Sequence, residues 1–307
     1  MGDAIAAFDC GSNSTRLLIA DHEGTALVRS MNITRLSQGV DASKTLLPDA
    51  MERTLAVLRT YRAACDREGV TRGRLVATSA VRDALNGEEF LRRARETVGV
   101  PADVLAGAEE AALSYAGATK DLVFAEAPTM IVDIGGGSTE LAVELDDTLV
   151  SYSMQLGSVR VTERALGRGV VSASSDLAAR TMIDEEIERA FAARPEFARV
   201  VGHVRLVGLA GTVATLAQMD AQLLAYDREV VHHRVLSLAT VDRWRDLLAS
   251  ETPEVRLSHP GMVEGREDVL PAGLYILDAV MRRVDVDQLL SSENDILDGI
   301  VASLLGR

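Results

Sequence analysis

A ten-residue pattern occurs twice in this chain, 124 residues apart and in register without a gap. The first copy runs Phe8-Asp9-Cys10-Gly11-Ser12-Asn13-Ser14-Thr15-Arg16-Leu17, the second Val132-Asp133-Ile134-Gly135-Gly136-Gly137-Ser138-Thr139-Glu140-Leu141. Asp9, Gly11, Ser14 and Thr15 recur as Asp133, Gly135, Ser138 and Thr139. An apolar run leads into each copy (Ala4 to Phe8; Met130 to Val132), and an alternating run leads out (Leu17-Leu18-Ile19-Ala20; Leu141-Ala142-Val143). Each copy therefore reads as strand, tight polar turn, strand. One such turn is a common structural device. Two register-matched copies point to an architecture of two equivalent halves.

The residue types in the turn point to phosphate. Glycines let backbone N–H groups approach an anion, and hydroxyls add donors. This makes Asn13, Ser14, Thr15, Gly136, Gly137 and Ser138 candidate phosphate contacts. Asp133 and Glu140 flank the triple-glycine turn, and carboxylates there repel a phosphate unless a cation intervenes. Mg²⁺ is the expected cofactor, with Asp133, Glu140 and, symmetrically, Asp9 as its ligands. Where the second copy has Glu140 the first has Arg16, so one wall offers an acid for metal or water and the other a cation for phosphate. Two turns in two halves predict a cleft that grips a phosphorylated ligand from both sides.

The net charge of −14 argues against an extended nucleic-acid surface, which needs clustered positive charge. No run approaches a membrane span, and the N-terminus lacks a basic segment followed by an apolar signal core, so a cytoplasmic location is expected. Cys10 falls in the first turn and Cys65 in a helical pattern, which argues against a disulfide. The five histidines show no metal-ligand spacing. His232 and His233 are adjacent, and in a strand they would point apart on a solvated edge.

The first half is predicted as strands Ala4–Asp9, Thr15–Asp21 and Ala26–Leu36, a helix from Pro48 to before Gly69, strand Arg74–Ser79, helix Glu88–Val98, strand Ala102–Leu105 and a helix over about 108–121. The order βββαβαβα is that of a ribonuclease-H-like lobe. The second half repeats the opening with strands Thr129–Asp133, Thr139–Leu145 and Leu149–Leu156. Helices are expected at Val161–Leu166, Asp176–Ala193, Val213–Met219, Leu238–Ala249, Val269–Val284 and Asp295–Leu305, and strands at Arg205–Leu209 and Gln288–Ser292. With Glu126–Pro128 as junction, the expected fold class is α/β, two ribonuclease-H-like lobes over 1–124 and 125–307.

Four blocks, Ala7–Leu18, Ala77–Asn86, Ala106–Leu113 and Ile131–Leu141, together resemble the exopolyphosphatase and guanosine-pentaphosphate phosphohydrolase (Ppx/GppA) family of the actin, Hsp70 and sugar-kinase superfamily. Leu156–Glu163, Gly208–Leu216 and His259–Leu274 match later blocks, and the resemblance is to a short type without the additional C-terminal helical region of longer relatives. It implies an interlobe active site and a homodimer. It also implies a Mg²⁺-dependent phosphohydrolase acting on the terminal phosphate of inorganic polyphosphate, with the 5′-phosphate of guanosine pentaphosphate as the alternative. A sugar-kinase-like transferase and a non-catalytic sensor of phosphate chains or nucleotide are the readings from other classes.

Of the adjacent acids, Glu109 fits helix-dipole compensation, and the family's catalytic glutamate aligns with Glu110, the implied general base. The resemblance places Arg82 on phosphate, and Arg266, before a helix beginning near Asp268, is a weaker candidate of the same kind. Gly211 and Thr212 open a helix, where an anion at the N-terminus is physically sensible. The acidic body is expected to repel the distal part of a long polyanion, so short polyphosphates are the expected preference.

Overall fold

The computed structural model describes residues 4–123 and 125–307. They form two compact units, one of 4–117 with 295–307 and one of 118–123 with 125–294.

In the first unit, strands β1 (Ala4–Cys10), β2 (Ser14–Ala20), β3 (Ala26–Ile33), β4 (Val70–Ala77) and β5 (Ala102–Val104) form a sheet in the order β3-β2-β1-β4-β5. The β1–β2–β3 pairings are antiparallel, whereas β4 and β5 join in parallel. Every residue of β1 is buried, because it is flanked by β2 and β4 and covered on both faces. Ala4, Ala6, Phe8 and Cys10 face the helices Pro48–Glu68 and Gly87–Val98, while Ile5 and Ala7 face the other way. Helix Pro48–Glu68 starts on a proline and ends at Gly69, whose φ of 67° supplies the left-handed cap.

The second face of this sheet is covered by the last helix, Ile296–Leu304, through Ile296, Leu297, Ile300 and Val301. That helix therefore belongs to the first unit, whereas sequence reading ran the second lobe to 307. Asp295 and Asp298 form its capping box. Glycines bring it close to helix Gly107–Thr119: a Cβ on Gly299 would stand 2.0 Å from the Leu113 carbonyl oxygen. The expected boundary at 124/125 falls on Phe124, which lies outside the described residues.

The second unit holds β6 (Thr129–Ile134), β7 (Thr139–Leu145), β8 (Thr148–Met154), β9 (Arg205–Leu209), β10 (Val235–Ser237) and β11 (Gln288–Ser291) in the order β10-β11-β9-β6-β7-β8. Read from β8 to β11 the order repeats that of the first sheet, with β10 added antiparallel at the edge. The ribonuclease-H-like order thus occurs twice. Sequence reading missed β10, the short helices Val40–Ser43, Ser79–Arg82, Arg228–Val231 and Pro253–Leu257, and the 3₁₀ turn Pro195–Val200. All are too short for a hydrophobic period to register. β3 stops at Ile33, short of the expected Leu36, because the following backbone turns back onto the first polar turn.

Candidate active site

Both repeated turns close with the same hydrogen bond: Gly11 N–H donates to Ser14 O at 3.0 Å, and Gly135 N–H to Ser138 O at 3.0 Å. In the first unit Ser12 Oγ lies 2.9 Å from Ser79 Oγ, and Thr15 Oγ1 2.9 Å from Thr34 Oγ1. Around this turn, Asp9 Oδ1, Asn13 Nδ2 and Arg82 Nη2 are buried without a hydrogen-bond partner among the described residues. Buried polar atoms are nearly always satisfied, so such orphans are where a ligand or an ordered water supplies the partner.

Arg16 sits opposite Asp9 across the β1–β2 ladder. Its Nη2 is 2.6 Å and its Nε 2.9 Å from Asp9 Oδ2, and Nη1 meets Asp295. The guanidinium is thus engaged by carboxylates, which corrects its reading as a cation presented to phosphate. Burial pushes the Asp9 carboxyl above its usual range, while Arg16 pulls the other way. Asp9 offers one oxygen, Oδ1, to a cation; the other is held by Arg16.

Helix Gly107–Thr119 separates its paired acids by the 100° step between neighbours. Glu109 is exposed and paired with Arg74 at 2.7 Å. Glu110 is 8% exposed, and its Oε2 lies 3.3 Å from Nη1 of Arg82, which also donates to Leu105 O at 2.9 Å. Arg82 closes the short helix after β4, so two strand ends bring acid and arginine together.

In the second unit Asp133 and Glu140 face one another across the β6–β7 ladder, 7% and 1% exposed. The Ser153 hydroxyl donates to Glu140 Oε1 at 2.7 Å. Two buried carboxylates on one face form an oxygen-only donor set, the kind that Mg²⁺ takes. Ser138 is buried beside them. Gly211 and Arg266, identified separately, come together: a Cβ on Gly211 would stand 1.2 Å from Arg266 Nη1. Ala210, just before, has φ 61°, a left-handed backbone rare for a residue with a side chain. Thr212 is packed against Gly273, where a Cβ would meet its Oγ1 at 2.4 Å.

Asp121, His232 and His233 bring three ligand-capable atoms within 4.8 Å of one another, a group that sequence reading missed. The histidines lie in a turn, not a strand, with His233 at φ 59°, so their rings stack at 3.8 Å instead of diverging. Glu293 N–H donates to His232 Nδ1 at 3.1 Å, which leaves the proton on Nε2, 2.9 Å from Asp121 Oδ2. A metal on Nε2 would displace that proton and leave two donors opposed at Nδ1. The group is a hydrogen-bonded brace, completed by Asn294 Nδ2 donating to Asp121 Oδ2 at 2.7 Å.

No helix among the described residues is long and apolar enough to cross a membrane. The model of the Ppx/GppA phosphatase family matches residues 18–307. Exopolyphosphatase 2 of Mycobacterium tuberculosis is 38% identical over 320 residues, covering 98% of each chain. The crystal structure of an exopolyphosphatase-like protein superposes with TM-score 0.91 at 32% identity over 99% of each chain. That of the Aquifex aeolicus Ppx/GppA family member superposes with TM-score 0.79 at 28% identity, covering 99% of this chain and 98% of the other.

Proposed function

This chain belongs to the Ppx/GppA phosphatase family, and from that premise we propose that it is an exopolyphosphatase, releasing orthophosphate from the end of inorganic polyphosphate with the help of Mg²⁺. Water attacks the terminal phosphorus, the bridging P–O bond breaks, and the leaving chain is one unit shorter. Glu110 takes the proton of the attacking water, and a positioned base of this kind contributes about 10²–10⁴-fold. Arg82 holds phosphate oxygen through Nη2. Asp133 and Glu140 hold Mg²⁺, which neutralises phosphate charge when bound. The N–H groups and hydroxyls of the two turns receive phosphate oxygens.

The observation that carries this reading is the divergence of two adjacent acids. Glu110 is buried beside an arginine that keeps an unpartnered N–H, while Glu109 is spent on a surface ion pair. A carboxylate held there speaks for catalysis over a sensor of phosphate chains. The exopolyphosphatase from Mycobacterium tuberculosis supports polyphosphate over guanosine pentaphosphate as substrate. Short chains are favoured because a body with 32 Lys+Arg against 46 Asp+Glu repels distal phosphates.

The test is phosphate release from length-fractionated polyphosphate, with Mg²⁺ and with EDTA, alongside guanosine pentaphosphate. Metal-dependent release from short chains is expected. Absence of release, release only from the nucleotide, or a strong preference for the longest fraction would each overturn the corresponding part.

A further inference from the structure

The triple-glycine turn is held from behind by the segment that follows β8. Ser158 N–H donates to Gly135 O at 2.9 Å, Val159 N–H and Arg160 N–H to Gly136 O at 2.9 and 3.1 Å, and Arg160 Nε to Gly137 O at 2.8 Å. Three successive carbonyls are thus tied to one segment. In a planar trans peptide the carbonyl and the next N–H point to opposite sides, and the chain has no cis peptide among its described residues. Tying back Gly135, Gly136 and Gly137 therefore turns the N–H groups of Gly136, Gly137 and Ser138 to the other side, as three neighbouring donors. Gly157 makes the approach possible: a Cβ there would stand 2.4 Å from Gly136 O and 2.5 Å from Gly137 N.

The first unit repeats the device after β3. Thr34 N–H and Arg35 N–H donate to Asn13 O at 3.0 and 2.9 Å, and Ser37 N–H to Ser12 O at 2.9 Å. Each of these three donors is a backbone N–H. In the second unit the last carbonyl, Gly137 O, is taken by the Arg160 side chain, so the peptide that presents Ser138 N–H depends on one buried arginine, 7% exposed.

We propose that Arg160 is a positioning residue: its Nε–H, through Gly137 O, aims the Ser138 amide at the substrate phosphate, and the hydrogen bond rather than the positive charge is what the reaction needs. This rests on the phosphohydrolase reading above. Side-chain chemistry separates the two roles. Glutamine places its amide nitrogen the same number of bonds from the backbone as arginine Nε, so Arg160→Gln keeps the donor and loses the charge. Lysine puts a methylene at that point, so Arg160→Lys keeps the charge and loses the donor.

Arg160→Gln is expected to retain kcat/KM for short polyphosphate within about tenfold of wild type, whereas Arg160→Lys falls by about 10²-fold, the scale of a misaimed group in a catalytic site. A second readout needs no turnover. The Gly137 carbonyl carbon and Ser138 amide NMR shifts should stay near wild type in Arg160→Gln and move in Arg160→Lys. Lysine outperforming glutamine in rate would make Arg160 a charge acting on substrate. Unmoved amide shifts in the lysine variant would likewise overturn the positioning role. A wild type without polyphosphatase activity refutes the functional reading instead, and the NMR comparison still decides this one.

Discussion

Glu140→Gln removes one of two buried carboxylates that face each other across the β6–β7 ladder. Directly opposed residues hold their Cβ atoms about 4.5–5.5 Å apart. Two unit charges about 5 Å apart at an effective dielectric of ~20 repel by about 3 kcal/mol. The unfolded chain separates them into water, so whatever part of that repulsion their folded surroundings do not offset burdens the folded state alone. Glutamine keeps the volume, and its Oε1 can still accept the Ser153 hydroxyl. In EDTA the variant is therefore expected to be more stable than wild type, by up to about 3 kcal/mol. At about 2–4 °C per kcal/mol for a unit of this size, that is a rise of several degrees in Tm. Mg²⁺ at a hundred times its Kd stabilises the wild type by about 2.7 kcal/mol, and the variant, short of a ligand, by much less, so the gap closes. Trp244, the single tryptophan, is buried in the second unit and reports on this transition by fluorescence. A variant less stable than wild type in EDTA, or one with an undiminished response to Mg²⁺, would refute the metal assignment.

The paired acids give a sharper kinetic contrast: Glu110→Gln should abolish nearly all turnover, by about 10²–10⁴-fold, with substrate binding kept, while Glu109→Gln loses only an exposed ion pair and stays near wild type. Equal activities in the two, measured by phosphate release, would reverse the assignment. Gly157→Ala forces the triple-glycine turn to shift and should cost about 10²-fold in kcat/KM; Gly169→Ala, where a Cβ meets nothing within 4 Å, is the control and should be silent. Burial holds His232 below its ordinary 6.5, against the pull of the Asp121 hydrogen bond. The unfolded chain then binds the proton more readily, so stability is lost as pH falls from about 6.5 toward the depressed folded value. Urea unfolding between pH 5 and 7.5 should show that slope in wild type and a weaker one in His232→Gln; an identical slope would remove His232 as its source.

Much of this molecule was legible because its signals are long or repeated. The central strands and the helix from Pro48 carry unbroken periods, proline and glycine punctuate the helix ends, and the doubled turn located both sheets. Glu110 was distinguishable from Glu109 only through family resemblance, since neighbouring acids in a first helical turn look alike until burial separates them. Arg16 was misread for a different reason. Its partner Asp295 is 279 residues away in sequence, carried onto β1 and β2 by the last helix, and no local pattern announces that return. Separation in sequence also hid the brace of Asp121 with His232, joined over 111 residues. Arg160 lies within the block Leu156–Glu163 without a sequence signal of its own, because its partner is a backbone carbonyl, which has no residue type to recognise.

The two turns keep the same backbone and differ in charge. In the first, the residue after the threonine is Arg16, and the cross-strand pair with Asp9 is acid and base. In the second, the equivalent residue is Glu140, and the pair with Asp133 is acid and acid. A phosphate end brings both negative oxygens and the cation that travels with them, and the two call for turns of different charge. The compensated copy, with orphan donors on Asn13 and Arg82, suits oxygens; the doubly acidic copy suits the metal. The divergence is anchored beyond the turns. Asp295 lies against Arg16, so an acid at position 16 would gather three carboxylates and leave Arg29, 3.8 Å from Asp295 Oδ1, to offset them. The C-terminal helix that supplies Asp295 to the first unit therefore helps keep the charge of the two copies different.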